Sequence, residues 1–88
     1  MSTLHIFSKP LSYYNANQLE NLIQLSDTLL LVGDACFAAD QYRQFTDSVY
    51  LLEPDATARA IQVNSQDTLI SYAEFVALCL STKQSISW

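Results

Sequence analysis

Four side chains in this 88-residue sequence could do chemistry by type and setting, namely Cys36, Cys79, His5 and Asp34. Cys36 closes the segment Gly33-Asp34-Ala35-Cys36, which follows an apolar run and precedes a helical one. A thiol at a helix N-terminus has its thiolate stabilised by the helix dipole, which favours nucleophilic or persulfide chemistry. No His or Lys stands near Cys36 in sequence to help it ionise, and free cysteine often packs as a small apolar side chain. The residues therefore favour a packed thiol, with persulfide uptake as the alternative. Cys79 lies on the apolar stripe of a later helix and is expected to pack in the core.

His5 stands alone on an apolar strand. A satisfied core or interface histidine is the expected role, ahead of proton transfer. Asp34 could end a strand, cap a helix or accept a phosphoryl group. The last of these needs an acidic cluster for magnesium and a lysine opposite. No acidic pair adjoins Asp34, so capping or turn formation is expected. One histidine and two cysteines without C-x-x-C spacing do not make a structural zinc site. Tyr13 and Tyr14 sit in glycine-poor sequence that offers no phosphate cradle, and no Ser/His/Asp set can be drawn. We expect no catalytic residue, no metal and no cofactor, with Cys36 reserved for the persulfide alternative.

Strand-like and helix-like segments alternate and must position these groups. Thr3 to Phe7 reads as a strand. Residues 16 to 25 place Leu19, Leu22 and Ile23 at helical spacing, with Asn15 as N-cap. Ser26-Asp27 breaks the pattern before Thr28 to Val32, a continuous apolar run of the kind buried on both faces in parallel sheets. Residues 35 to 45 predict a second helix, and Val49 to Leu52 a third strand. Pro54 suits the first turn of a helix running to about Ile61. A turn at Asn64 to Asp67 leads to a short strand, Thr68 to Ile70. Ser71-Tyr72-Ala73-Glu74 is a capping box. Behind it Tyr72, Phe75, Val76, Cys79 and Leu80 recur at helical spacing, and Lys83 stands where the dipole favours a cation. Gln84 to Trp88 predicts a last strand. The expected architecture is a small open α/β sheet, mostly parallel, with helices on both faces and right-handed crossovers. Residues 1–88 read as a single domain.

Nine acidic against four basic residues give a formal charge of -5. A phosphate backbone needs a clustered basic face, so direct nucleic-acid binding is not expected. The start has no basic region followed by an apolar one, and Leu29 to Val32 is too short to cross a bilayer. These features predict a cytoplasmic protein with no membrane contact and reduced thiols. A core this small gains from a partner. Trp88 bears on that point, because a terminal tryptophan would fray unless something buried its ring. It could pack on the last helix of its own domain, or it could anchor a subunit interface.

Taken in order, several segments carry a family likeness. They are Leu4-His5, Leu29-Leu30-Leu31-Val32-Gly33-Asp34 followed by Ala38-Ala39, Ile70-Ser71-Tyr72-Ala73-Glu74-Phe75-Val76, and Ser87-Trp88. Over nearly its whole length the chain resembles the DsrH/TusB family of sulfur-relay subunits. The resemblance implies a DsrE/F/H-like α/β fold. It also implies a heterohexamer with homologous TusC-like and TusD-like subunits, which takes persulfide sulfur from an upstream carrier and hands it to a downstream one. The sulfur ends in the 2-thiouridine at the wobble position of certain tRNAs. In the family the principal persulfide cysteine belongs to the TusD-like subunit. The DsrH branch carries a cysteine in the first helix, where this sequence has Leu22. That departure implies a non-catalytic subunit of the tRNA-modification branch, and no role passes to Cys36.

Overall fold

The fold comes from a computed structural model that describes residues 3–46, 48–61, 67–82 and 84–88. Five strands, β1 (Thr3–Phe7), β2 (Thr28–Leu31), β3 (Val49–Leu52), β4 (Thr68–Ile70) and β5 (Gln84–Ser87), form one sheet in the order β4-β3-β2-β1-β5. Every pairing is parallel. The helices are α1 (Ala16–Leu22), α2 (Ala39–Tyr42), α3 (Glu53–Ala58) and α4 (Tyr72–Ser81), with 3-10 turns at Leu11–Tyr13 and Gly33–Ala38. The expected α/β class is the observed one, with a sheet that is parallel throughout.

Strand order dictates how the helices divide between the faces. The chain steps from β1 to β2, β3 and β4 in one direction, so right-handed crossovers keep α1, α2 and α3 on one face. The passage from β4 back to β5 runs the other way and puts α4 on the opposite face. Side chains alternate across each strand to match. Phe7, Leu29, Leu31 and Leu51 join Leu19, Cys36, Tyr42 and Ala56 in the larger core. Leu4, Leu30 and Ile70 face the other way and are covered by Phe75, Leu78 and Cys79 of α4.

Several elements are shorter than their sequence patterns. Asn15 caps α1 as expected, its side chain accepting from the amides of Asn17 and Gln18. The helix stops at Leu22 rather than residue 25, because Ile23 turns extended to bury its side chain and Gln24 to Asp27 closes a turn. The helix expected over residues 35 to 45 is a 3-10 segment at Gly33–Ala38 followed by a single α turn at Ala39–Tyr42. Helix α3 ends at Ala58 instead of near Ile61, where Ala60 adopts a positive φ of 53°. Strand β2 ends one residue early, at Leu31. Most of the expected turn at Asn64 to Asp67, and Lys83 at the end of α4, lie outside the described residues.

The capping box on α4 is present on both sides: Ser71 Oγ accepts from the Glu74 amide, and Glu74 accepts from the Ser71 amide. The Ser71 amide, helped by the Ser71 hydroxyl, holds the Glu74 carboxyl below its usual range. The apolar stripe of α4 is not one buried face. Phe75, Leu78 and Cys79 meet the sheet, whereas Tyr72, Val76 and Leu80 are 64%, 46% and 82% exposed. One helix cannot cover five strands, and its two apolar edges diverge.

Candidate functional site

At the carboxyl ends of the central strands, β2 leads into a turn closed by α3. Gly33 has φ +54°, and a Cβ built there would stand 3.4 Å from the Ser8 carbonyl oxygen. Its amide donates to Asp55 Oδ2 at 2.8 Å. Arg59, just past α3, donates from Nε to Asp34 Oδ1 at 3.0 Å and from Nη1 to the Asp55 carbonyl at 3.2 Å. Glycine is needed because an L residue in the left-handed region is strained. Gly33→Ala should therefore lower stability by roughly 1–2 kcal/mol, read from urea midpoints; an unchanged midpoint would show the turn relaxing freely.

Asp34 does not cap the turn that follows. Val32 occupies the N-cap position without a side-chain bond, and the Asp34 carboxylate turns outward to Arg59. Of the expected capping or turn formation the turn holds, since Asp34 lies within the 3-10 segment, and in place of a cap its carboxylate forms an ion pair that ties the end of β2 to α3. Arg59 lies 25 residues away, beyond any local pattern.

Cys36 points inward. It is 1% exposed, and its Sγ donates to the Leu31 carbonyl at 3.5 Å. As the fourth residue of the 3-10 segment, it is not at the N-terminus of a regular α-helix. Burial, reinforced by the Asp55 carboxylate and opposed by Arg59, pushes the thiol up to about 11. A thiol in that environment stays protonated at neutral pH and is a poor nucleophile. Cys79 is also free and half-buried against the α4 face of the sheet. Leu22 is 49% exposed on α1.

A second polar constellation lies deeper, on the α1 face. His5 is 1% and Asp27 3% exposed, and His5 Nε2 stands 2.9 Å from Asp27 Oδ2. The same carboxylate accepts from the amides of Thr3 and Gln24, each at 3.0 Å. Burial alone would raise the Asp27 carboxyl, but the amide bonds from Gln24 and Thr3 and the His5 ring outweigh it and hold it below its usual value. His5 is thus the satisfied core histidine that its apolar strand suggests. Asp27 escaped sequence reasoning, since its partners Thr3 and His5 are 24 and 22 residues away.

Trp88 packs within its own chain. Its ring lies parallel to Phe7, with centroids 5.8 Å apart, and its edge faces the His5 ring, whose centroid is 6.1 Å away. Of the two sequence alternatives, packing on the last helix is corrected: the ring sits on β1, on the face opposite α4. Register explains this, because Trp88 extends β5 beside β1 and its amide donates to the Ile6 carbonyl at 2.9 Å. Phe7 also meets Tyr14 edge-on and Tyr42. The Tyr42 hydroxyl donates to the Lys9 carbonyl at 2.7 Å, and burial followed by nearby Tyr14 raises its pKa.

A separate open groove of about 360 Å³ lies beside α4, lined by Tyr50, Ile70, Glu74, Ala77, Leu78 and Ser81. It belongs to the opposite side of the sheet from Cys36 and His5. Among the described residues no three His, Cys, Asp or Glu side chains converge to hold a metal ion. No helix among them is long and apolar enough to cross a membrane.

The fold and these sites define a small parallel α/β domain whose thiols are packed rather than presented. The model of the family described as DsrH like protein matches residues 10–85, and the chain belongs to that family. Membership supports a role related to sulfur relay. A comparison with curated proteins finds no match.

Proposed function

We propose that this chain is a non-catalytic subunit of a heterohexameric sulfur-relay complex that supports 2-thiolation of the tRNA wobble uridine. Its partners in this reading are TusC-like and TusD-like sister subunits in the cytoplasm, which exchange sulfur with upstream and downstream carriers. The chain itself touches neither tRNA nor membrane. Family membership supports the sulfur-relay setting, and the burial of Cys36 carries the non-catalytic part. A persulfide carrier must present its thiolate to two successive partners, and a thiol raised to about 11 inside the core cannot do so without local opening. Leu22 adds to this, since an exposed aliphatic side chain cannot carry sulfur.

The decisive experiment replaces Cys36 and Cys79 together by alanine and measures 2-thiouridine in tRNA from the host by mass spectrometry. Thiolation should persist in the double variant and be lost when the chain is deleted. Loss of thiolation in the double variant with the sister subunits still copurifying would overturn the non-catalytic reading. Full thiolation after deletion would overturn the role in this pathway.

A further inference from the structure

Trp88 and Asp27 grip His5 from opposite sides. The indole Nε1–H donates to His5 Nδ1 at 3.1 Å, while Nε2 faces Asp27 Oδ2 at 2.9 Å. An indole nitrogen can only donate. Nδ1 must therefore hold the lone pair, and Nε2 carries the proton that it donates to the carboxylate. Geometry thus assigns a neutral imidazole in one tautomer. The indole rests on Phe7 at an interplanar angle of 3° and meets the His5 ring edge to edge through its N–H bond, with centroids 6.1 Å apart.

We propose that His5 and Trp88 form a proton-operated latch, in which a proton taken from solvent at His5 Nδ1 expels the indole from its seat on Phe7. The added proton turns the acceptor into a second donor facing the indole N–H. Two donors at 3.1 Å repel, and the indole must then find water. The imidazole cannot turn over to restore the bond, because an imidazolium donates from both nitrogens. Asp27 keeps its hold on Nε2 in either state, so the ring stays and the indole leaves. Movement is possible there because β5 has a single strand neighbour, β1, among the described residues.

The groups around the ring support this assignment. The turn before β2 brings the Asp27 carboxylate, which is the charged group in contact with the imidazole. Strand β5 brings the uncharged indole, and β1 itself supplies Phe7. Beyond the indole, the Tyr14 hydroxyl donates to the Trp88 carbonyl at 3.4 Å. The two states differ in whether the indole covers Phe7 at this edge of the larger core. The inference does not depend on the sulfur-relay reading.

The sequence holds one histidine and one tryptophan, so each partner has its own spectroscopic signal. The full chain is titrated from about pH 8 to about pH 5, with the imidazole followed by NMR and the indole by emission and acrylamide quenching. Far-UV circular dichroism checks the fold at each point. The imidazole and indole signals should move along one curve with a common midpoint, with emission shifting to the red and quenching rising while the dichroism holds. The latch is overturned if the imidazole titrates and the indole does not, if their midpoints differ, or if neither moves before the fold is lost. In His5→Gln, which has no titrating ring, the indole response should vanish; a response that persists also overturns it.

Discussion

Phe7→Ala is expected to remove a large part of the stability of this domain. Phe7 is fully buried in β1 and contacts Tyr14, Tyr42, His5 and Trp88 through its ring. Truncating a buried phenylalanine costs about 3–5 kcal/mol, and the sum includes the cavity left behind. Domains of this size have only about 5–15 kcal/mol in total. The thermal midpoint should fall by roughly 12 °C or more, taking about 4 °C per kcal/mol as the lower slope. Tryptophan emission should shift to the red even below the midpoint, because Trp88 loses the surface it stacks on. A midpoint within a few degrees of the parent would mean that the tyrosines collapse into the space and that the aromatic cluster does not depend on Phe7.

The second large effect is expected at Asp27. Its carboxylate is the common acceptor for the Thr3 amide, the Gln24 amide and the His5 ring, and it joins the first strand to the turn before β2. Asp27→Ala leaves all of these donors facing an apolar gap. At roughly 1–3 kcal/mol for each buried unsatisfied group, with some recovered by water, the loss should be on the order of 3–4 kcal/mol. Asp27→Asn keeps one acceptor oxygen and should cost less.

The pair also predicts a pH dependence. Because the folded-state carboxyl lies below its ordinary value of 3.8, the ionised form stabilises the fold above that value. The contribution is lost as pH falls from there through the folded-state pKa. Parent and Asp27→Asn unfolding free energies, measured by urea denaturation, should therefore converge in acid and separate as pH rises past the carboxylate range. A difference that does not vary with pH would show that the amide replaces the carboxylate without regard to charge.

How far the sequence could be read depended on whether each signal was local. The Ser71 capping box joins residues three apart, and the α4 helix followed directly from it. The Asn15 cap behaved the same way. The run from Thr28 to Val32 marked a strand buried on both faces, and Leu29, Leu30 and Leu31 are all fully buried. Errors arose where a local pattern competed with packing. Residues 35 to 45 have helical spacing, yet Cys36 and Tyr42 each turn to the core with bonds to main-chain carbonyls, and the segment tightens into a 3-10 turn. On α4 the stripe predicted one apolar face, but among the described residues the helix lies alone on its side of the sheet and buries only one flank of that stripe.

Cys36 shows the same division at a candidate site. Its position after β2 was legible and suggested a dipole-activated thiol. The direction of its side chain, and the Asp55 carboxylate that disfavours its ionisation, depend on α3 folding back across the strand end. Neither is encoded within a few residues of Cys36.

The sequence by itself determined the alternation of strands and helices, the caps, the acidic surface charge and a family likeness that the match over residues 10–85 upheld. Periodicity and capping act over one or two helical turns or the length of a strand, so they can be read along the chain. Tertiary structure alone decided that His5, Asp27 and Trp88 form one network. It also set the Asp34–Arg59 ion pair and the burial of Cys36. Those partners are far apart in sequence, and only the β4-β3-β2-β1-β5 strand order brings them within reach of one another.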